Sequence, residues 1–191
     1  MSGPPGTGKT TLAHELARIL GCPAVVRDEI KQGMVLAIPE YEPSLGDWLN
    51  HRTLGAFFGV LRVLLEAGST VIAEAAFQDR VWSPHLEPLT GLAQIRIIRC
   101  TAPAAVIGDR IIQRAKQDVH RTAHADHTLI RAIEAGQRPF DSFVPISLDA
   151  PTVTVDTSVS YQPSLMEVAA FISSPGCTSP SGGPPEAAPA G

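Results

Sequence analysis

Apolar positions recur at helical spacing close to the start of the chain. Leu12, Leu16, Ile19 and Leu20 share one face, and Gly21 followed by Pro23 ends the run. Ala24-Val25-Val26 then reads as a short buried strand that stops at Arg27-Asp28, and a second helix is predicted over 29–36. Pro39, Pro43 and Gly46 break the pattern around Tyr41 and Trp48. A long helix follows over 49–67, with Leu54, Phe57, Phe58, Leu61, Leu64 and Leu65 on its buried side and Gly68 at its end. Thr70 to Ala73 forms the next strand, closing at Glu74, and a helix with uncertain bounds around Pro84 spans 79–89. Gln94 to Cys100 is a β-branched strand. Pro103 suits the first position of a helix that runs to Gln117. A polar segment at 118–127, a helix at 128–135, a strand at 152–155 and a closing helix at 165–172 complete the pattern.

Strands alternating with helices of this length predict an α/β fold: a parallel sheet covered by helices on both faces. Residues 1–172 form one domain in this reading. Beyond Ser173 the chain is Ser, Pro, Gly and Ala with a single charge, so 173–191 is expected to be a disordered tail.

Gly3-Pro4-Pro5-Gly6-Thr7-Gly8-Lys9-Thr10 changes this from a generic fold to a nucleotide site. It is a complete G-x-x-x-x-G-K-[ST] phosphate-binding loop leading into the first helix. Gly3, Gly6, Thr7 and Gly8 let successive backbone N–H groups point inward at phosphates. Lys9 supplies a point charge, and Thr10, with Thr11 beside it, opens the helix at the cation end. The cofactors expected are ATP and Mg²⁺, the metal held by Thr10 directly and by Glu74 through water. In such folds a strand precedes the loop, yet only Met1 and Ser2 do so here. The expectation is that the reading frame starts upstream, with about four to six apolar residues ahead of Gly3.

Charge and cysteine content exclude several classes. With 15 basic and 19 acidic residues the formal net charge is −4, which disfavours a nucleic-acid-coating protein. Cys22, Cys100 and Cys177 stand far apart and read as two small core residues and a tail thiol. No apolar run reaches the ~18 residues of a membrane span, and no charged-then-apolar leader opens the chain, so a cytoplasmic location is expected.

The loop, Asp28 after the second strand, Glu74 after the third, the Arg110/Arg114/Arg121 region and Val155-Asp156-Thr157 together resemble the small P-loop kinases. The likeness is nearest to AAA-type ATP-binding predicted kinases related to zeta toxins, chloramphenicol phosphotransferase and polynucleotide 5′-hydroxyl kinases. That resemblance covers most of residues 3–172. It implies a three-layer P-loop NTPase fold with strand order 2-3-1-4-5, counting the truncated strand before the loop as the first, and a lid at about 110–127. It further implies that Asp28 is the catalytic base and that Asp156 and Thr157 pass near the nucleotide base. Phosphoryl transfer needs an in-line acceptor oxygen whose proton is accepted, which an Asp can do; the same residue type is also a common helix N-cap. Glu74 reads either as the Walker-B acid or as a strand-end surface acid. Arg80 reads either as a phosphate contact or as a partner of Asp79 or Glu74.

Arg110 and Arg114 lie four apart on one helical face, and Arg121 lies beyond. Lid arginines neutralise the transferring phosphoryl group, and a solvated face with Asp109 and Asp118 is the blander alternative. His120, His124 and His127 match no zinc spacing. Tyr41, Trp48 and His51 are candidates for an acceptor wall, with Trp48 equally fit for the core.

The function that follows is transfer of the γ-phosphate of ATP to a hydroxyl of a small-molecule or nucleotide-type acceptor, 5′-hydroxyl ends included, with no membrane partner. Two rivals stand beside it. A AAA-type regulatory ATPase would share the loop, although Val71 to Ala75 lacks paired acids; a non-catalytic nucleotide-binding module is the other.

Overall fold

The computed structural model describes residues 1–38, 41, 48–117, 130–131, 135 and 142–174, the side chains of 115–117 excepted. Four parallel strands and six helices alternate along these residues: α1 Lys9–Leu20, β1 Ala24–Val26, α2 Arg27–Leu36, α3 Trp48–Glu66, β2 Ile72–Glu74, α4 Asp79–Leu86, β3 Ile97–Thr101, α5 Ala104–Gln117, β4 Thr152–Asp156 and α6 Leu165–Ser173. A 3₁₀ turn, Glu87–Leu89, extends α4, so the helix predicted across Pro84 is split at its C-terminal end.

Strand alternation divides the core into two layers. Ile98 packs with Leu12, Ala13, Leu16, Val168 and Ala169 from α1 and α6. Its neighbour Ile97 faces the other way, onto Phe57, Leu61, Trp82 and Leu86 from α3 and α4. Helices therefore cover both faces, as the apolar pattern requires. Phe57 and Trp82 stack edge-to-face at 5.7 Å in the second layer. The core position in doubt for Trp48 goes to Trp82: Trp48 is 53% exposed and lies against the Arg52 guanidinium.

The sheet is parallel as expected, with its truncated first strand reduced to Met1 and Ser2. β1 pairs with β2 and β3 pairs with β4, each in parallel, as two two-stranded sheets. Met1 and Ser2 lie between them. Met1 donates from its amino group to Ala73 O at 2.6 Å and accepts from Ala75 N at 3.3 Å. Ser2 N donates to Ile98 O at 2.9 Å and Ser2 O accepts from Cys100 N at 2.8 Å. Two residues thus bridge the carboxyl end of β2 and the middle of β3, beside a cavity of about 400 Å³ lined by Ile72, Ala73, Ile97, Ile98 and Trp82. That bridge fixes where the glycine loop emerges.

Several bounds move for local reasons. α2 begins at Arg27, two residues earlier than predicted, because its N-cap is Val26 in extended conformation and the strand runs into the helix without a loop. β3 begins at Ile97 because its ladder to β4 starts at the Ile97–Thr152 pair. α6 carries a full capping box, Ser164 and Glu167 bonding reciprocally, a signal readable in the S-x-x-E spacing. Arg121, His120, His124, His127, most of the helix predicted at 128–135, and the tail beyond Ser174 lie outside the described residues.

Candidate active site

The glycine loop is shaped by its floor. Gly3 has φ 148° and Gly6 φ 81°. A Cβ on Gly3 would sit 2.4 Å from Cys100 O, and one on Gly6 would sit 2.9 Å from the Ile107 side chain. β3 and α5 therefore press the loop from below, and only glycine fits there. Gly3→Ala is expected to cost about 3 kcal/mol or more of stability, combining backbone strain with overpacking. Gly55→Ala, on an open face of α3, should be neutral or stabilising by about 0.5–1 kcal/mol. Denaturant midpoints of the two variants check this contrast.

Gly8 caps α1 in the left-handed region with no side-chain cap. The first N–H groups of α1 are thus left to point at the mouth of the loop, where the helix dipole favours an anion. Thr7 turns inward, donating to Pro4 O at 2.8 Å, and Lys9 Nζ donates to the same carbonyl at 2.9 Å. Thr11 is exposed on the outer side of α1.

Glu74, at the end of β2, enters this mouth. Its Oε2 accepts from Thr10 Oγ1 at 2.9 Å, and its Oε1 lies 4.0 Å from Lys9 Nζ. Both members of that ion pair are about 95% buried. Burial pulls the Lys9 ammonium below its ordinary range, and Glu74 opposes this. Burial likewise pushes the Glu74 carboxyl up, Lys9 opposing and the charge of Asp28 adding to the rise. A deep cation and a deep carboxylate with a hydroxyl beside them form a donor set suited to triphosphate and a hard divalent ion. Glu74 is buried and is not a surface acid.

Asp28 is the second residue of α2. With Val26 as the cap, Asp28 does not serve as the N-cap, so that alternative falls. Its charge raises both the Lys9 ammonium and the Glu74 carboxyl. Arg27 Nη1 donates to Asp28 Oδ1 at 3.0 Å, an ion pair that periodicity did not reveal.

The opposite wall comes from β4 and α5. Thr157 Oγ1 donates to Thr7 O at 2.8 Å and accepts from Arg110 Nη1 at 3.1 Å. Arg110 Nη2 also donates to Thr157 O at 2.5 Å. Arg110 is therefore braced against the loop after β4 and next to Gly8. Asp156 is held by its own turn. Its carboxylate accepts from Ser158 N at 2.7 Å and from Ser158 Oγ, bonds that hold it below the usual carboxylate range. Arg114, one turn on from Arg110, lowers the Lys9 ammonium electrostatically and so lies within range of the loop. Arg80 is exposed, and its neighbour Asp79 bonds instead to Ser83 and Ser147. Asp79 is therefore not engaged as the partner of Arg80.

Cys100 supports the loop from beneath. Burial pushes its thiol up to about 11. The folded state thus favours the protonated thiol: this contribution is full below about pH 9 and is lost as pH rises through about 11. Iodoacetamide should leave Cys100 unmodified at pH 8 in folded protein and label it on unfolding, as peptide mass analysis would show.

The chain is similar to known proteins in sequence and fold. The family described as AAA domain (AAA_33) matches residues 1–139. The chain belongs to this family. It is thereby a member of the P-loop kinase superfamily. The uncharacterized protein Rv2004c of Mycobacterium tuberculosis H37Rv is 28% identical over 153 residues, 74% of this chain and 30% of that protein. The chain thus spans about 30% of the length of the curated relatives it matches. A "putative kinase" from Chloroflexus aurantiacus J-10-fl superposes with a TM-score of 0.72 at 25% identity, covering 90% of this chain and 93% of that one. The Mycobacterium tuberculosis APS kinase CysC, solved with AMPPNP and APS, has a TM-score of 0.59 at 14% identity over 91% and 95% of the two chains, a likeness of fold. Among the described residues no helix is long and apolar enough to cross a membrane.

Proposed function

We propose that this AAA_33 domain is an ATP-dependent phosphotransferase that moves the γ-phosphoryl group to a hydroxyl of a small molecule or nucleotide-type acceptor, acting in the cytoplasm. The observation that carries the reading is the deep Lys9–Glu74 pair at the loop mouth, with Thr10 bonded to Glu74 and the charge of Asp28 acting on both. The glycine loop and the open N-terminus of α1 would hold the phosphates, and Lys9 would leave Pro4 O for them. Thr10 and Glu74 would hold Mg²⁺, directly and through water; the ion would supply neutralisation of the charge that develops during transfer. Asp28 would accept the acceptor's proton as its oxygen attacks phosphorus in line and ADP leaves. Arg114 and Arg121 would balance charge on the transferring group, and Arg110 would brace the nucleotide side with Thr157 and Asp156.

The regulatory-ATPase reading has less support, since β2 ends in a single acid followed by Ala75. Labelled ATP offered with nucleosides, sugars, aminocyclitols and 5′-hydroxyl oligonucleotides tests the proposal. A labelled phosphomonoester supports it. Release of inorganic phosphate alone, together with ATP-dependent hexamers, would favour the ATPase.

A further inference from the structure

We propose that Arg27 is a positioning residue for the Asp28 carboxylate, itself anchored by Asn50 across the α2–α3 contact. The inference rests on the reading of Asp28 as the base.

The Asp28 side chain is 42% exposed at the first turn of a helix that follows β1 without a loop. In-line transfer requires a base held in one rotamer, so a contact that fixes this carboxylate bears on the rate. Arg27 is the opposite case, with a side chain only 15% exposed. Three contacts fix its guanidinium: Nη1 to Asp28 Oδ1 at 3.0 Å, Nη2 to Asn50 Oδ1 at 2.7 Å, and the Phe77 ring, whose centroid is 5.8 Å from Cζ. Asn50 belongs to the first turn of α3 and Phe77 follows β2, so elements distant in sequence converge on one planar group.

The two Nη groups of Arg27 carry its hydrogen bonds, one to the base and one to the anchor. The planar fork suits this double task, which the single ammonium of lysine cannot reproduce. The chain Asn50–Arg27–Asp28 ties the base to the α3 layer, whose Phe57 and Leu61 are fully packed.

The test compares Arg27→Ala, Arg27→Lys, Asn50→Ala, Asp28→Asn and the Arg27→Ala/Asp28→Asn double variant with wild type. The probe is labelled MgATP with pooled nucleosides, sugars and aminocyclitols, read as labelled phosphomonoester. Arg27→Ala should lower kcat by up to ~10²-fold, the scale for a catalytic group misplaced by about 1 Å, with the KM for ATP within about twofold of wild type. Arg27→Lys and Asn50→Ala should fall between these. Millimolar guanidinium should restore part of the rate in Arg27→Ala and none in Asp28→Asn. The double variant should be no slower than Asp28→Asn alone, because the two residues act as one unit. Wild-type kcat in Arg27→Ala, or losses that multiply in the double variant, would overturn the positioning role while leaving Asp28 as base. A wild-type protein that forms no phosphomonoester would instead defeat the reading of the site, and this inference with it.

Discussion

Asp28→Asn is expected to lower phosphotransfer by about 10²–10⁴-fold, the range for loss of a positioned general base, while ATP binds as before. The asparagine keeps the shape of the side chain and can still meet Arg27, but it cannot take a proton from an attacking hydroxyl. It also removes a negative charge that acts on Lys9 and Glu74. That change relieves the burdened Glu74 carboxylate, so nucleotide affinity should hold or rise slightly. Fluorescent-nucleotide titration alongside turnover separates the two effects. A fall in affinity that matched the fall in rate would place Asp28 in nucleotide binding instead.

Lys9→Met carries the second large effect. Lys9 lies deep in the loop, its ammonium on Pro4 O. Removing one preorganised charge from a water-poor site costs about 10²–10³-fold in kcat, or roughly 3–4 kcal/mol. Stability should fall as well, because Glu74 is left buried beside no cation at 4.0 Å. Adding Glu74→Gln should restore the melting temperature and leave turnover lost. Recovery of turnover by that second change would mean that Lys9 serves the fold and not the chemistry.

The parts of the molecule legible in the sequence are those set by local rules. Gly21 ends α1 in the left-handed region and bonds back to Ala17 O, as the glycine after an apolar run implied. Ala24–Val26 and Thr152–Asp156 stand where short β-branched runs predicted them. The loop and the acid after β2 were visible because spacing alone defines them. Contacts that close over long stretches of chain were not. Thr157 meets Thr7 across 150 positions, and Arg27 meets Asn50 across 23; no local pattern records either distance. The start of α2 was misplaced for a related reason: Val26 caps it without any polar side chain, so nothing in the residue types marked the boundary. The central place of the sheet showed the same limit. Periodicity could say that a strand should precede the loop, but the bonds that Met1 and Ser2 make to β2 and β3 depend on tertiary register.

The fate of the γ-phosphoryl group bears most directly on the account, followed by ³¹P NMR with wild-type protein, MgATP and the pooled hydroxylated acceptors. A phosphomonoester resonance that grows in step with ADP, and is absent with Asp28→Asn, is the predicted result. ADP formed with inorganic phosphate as its only partner, at equal rates in both proteins, would contradict the account.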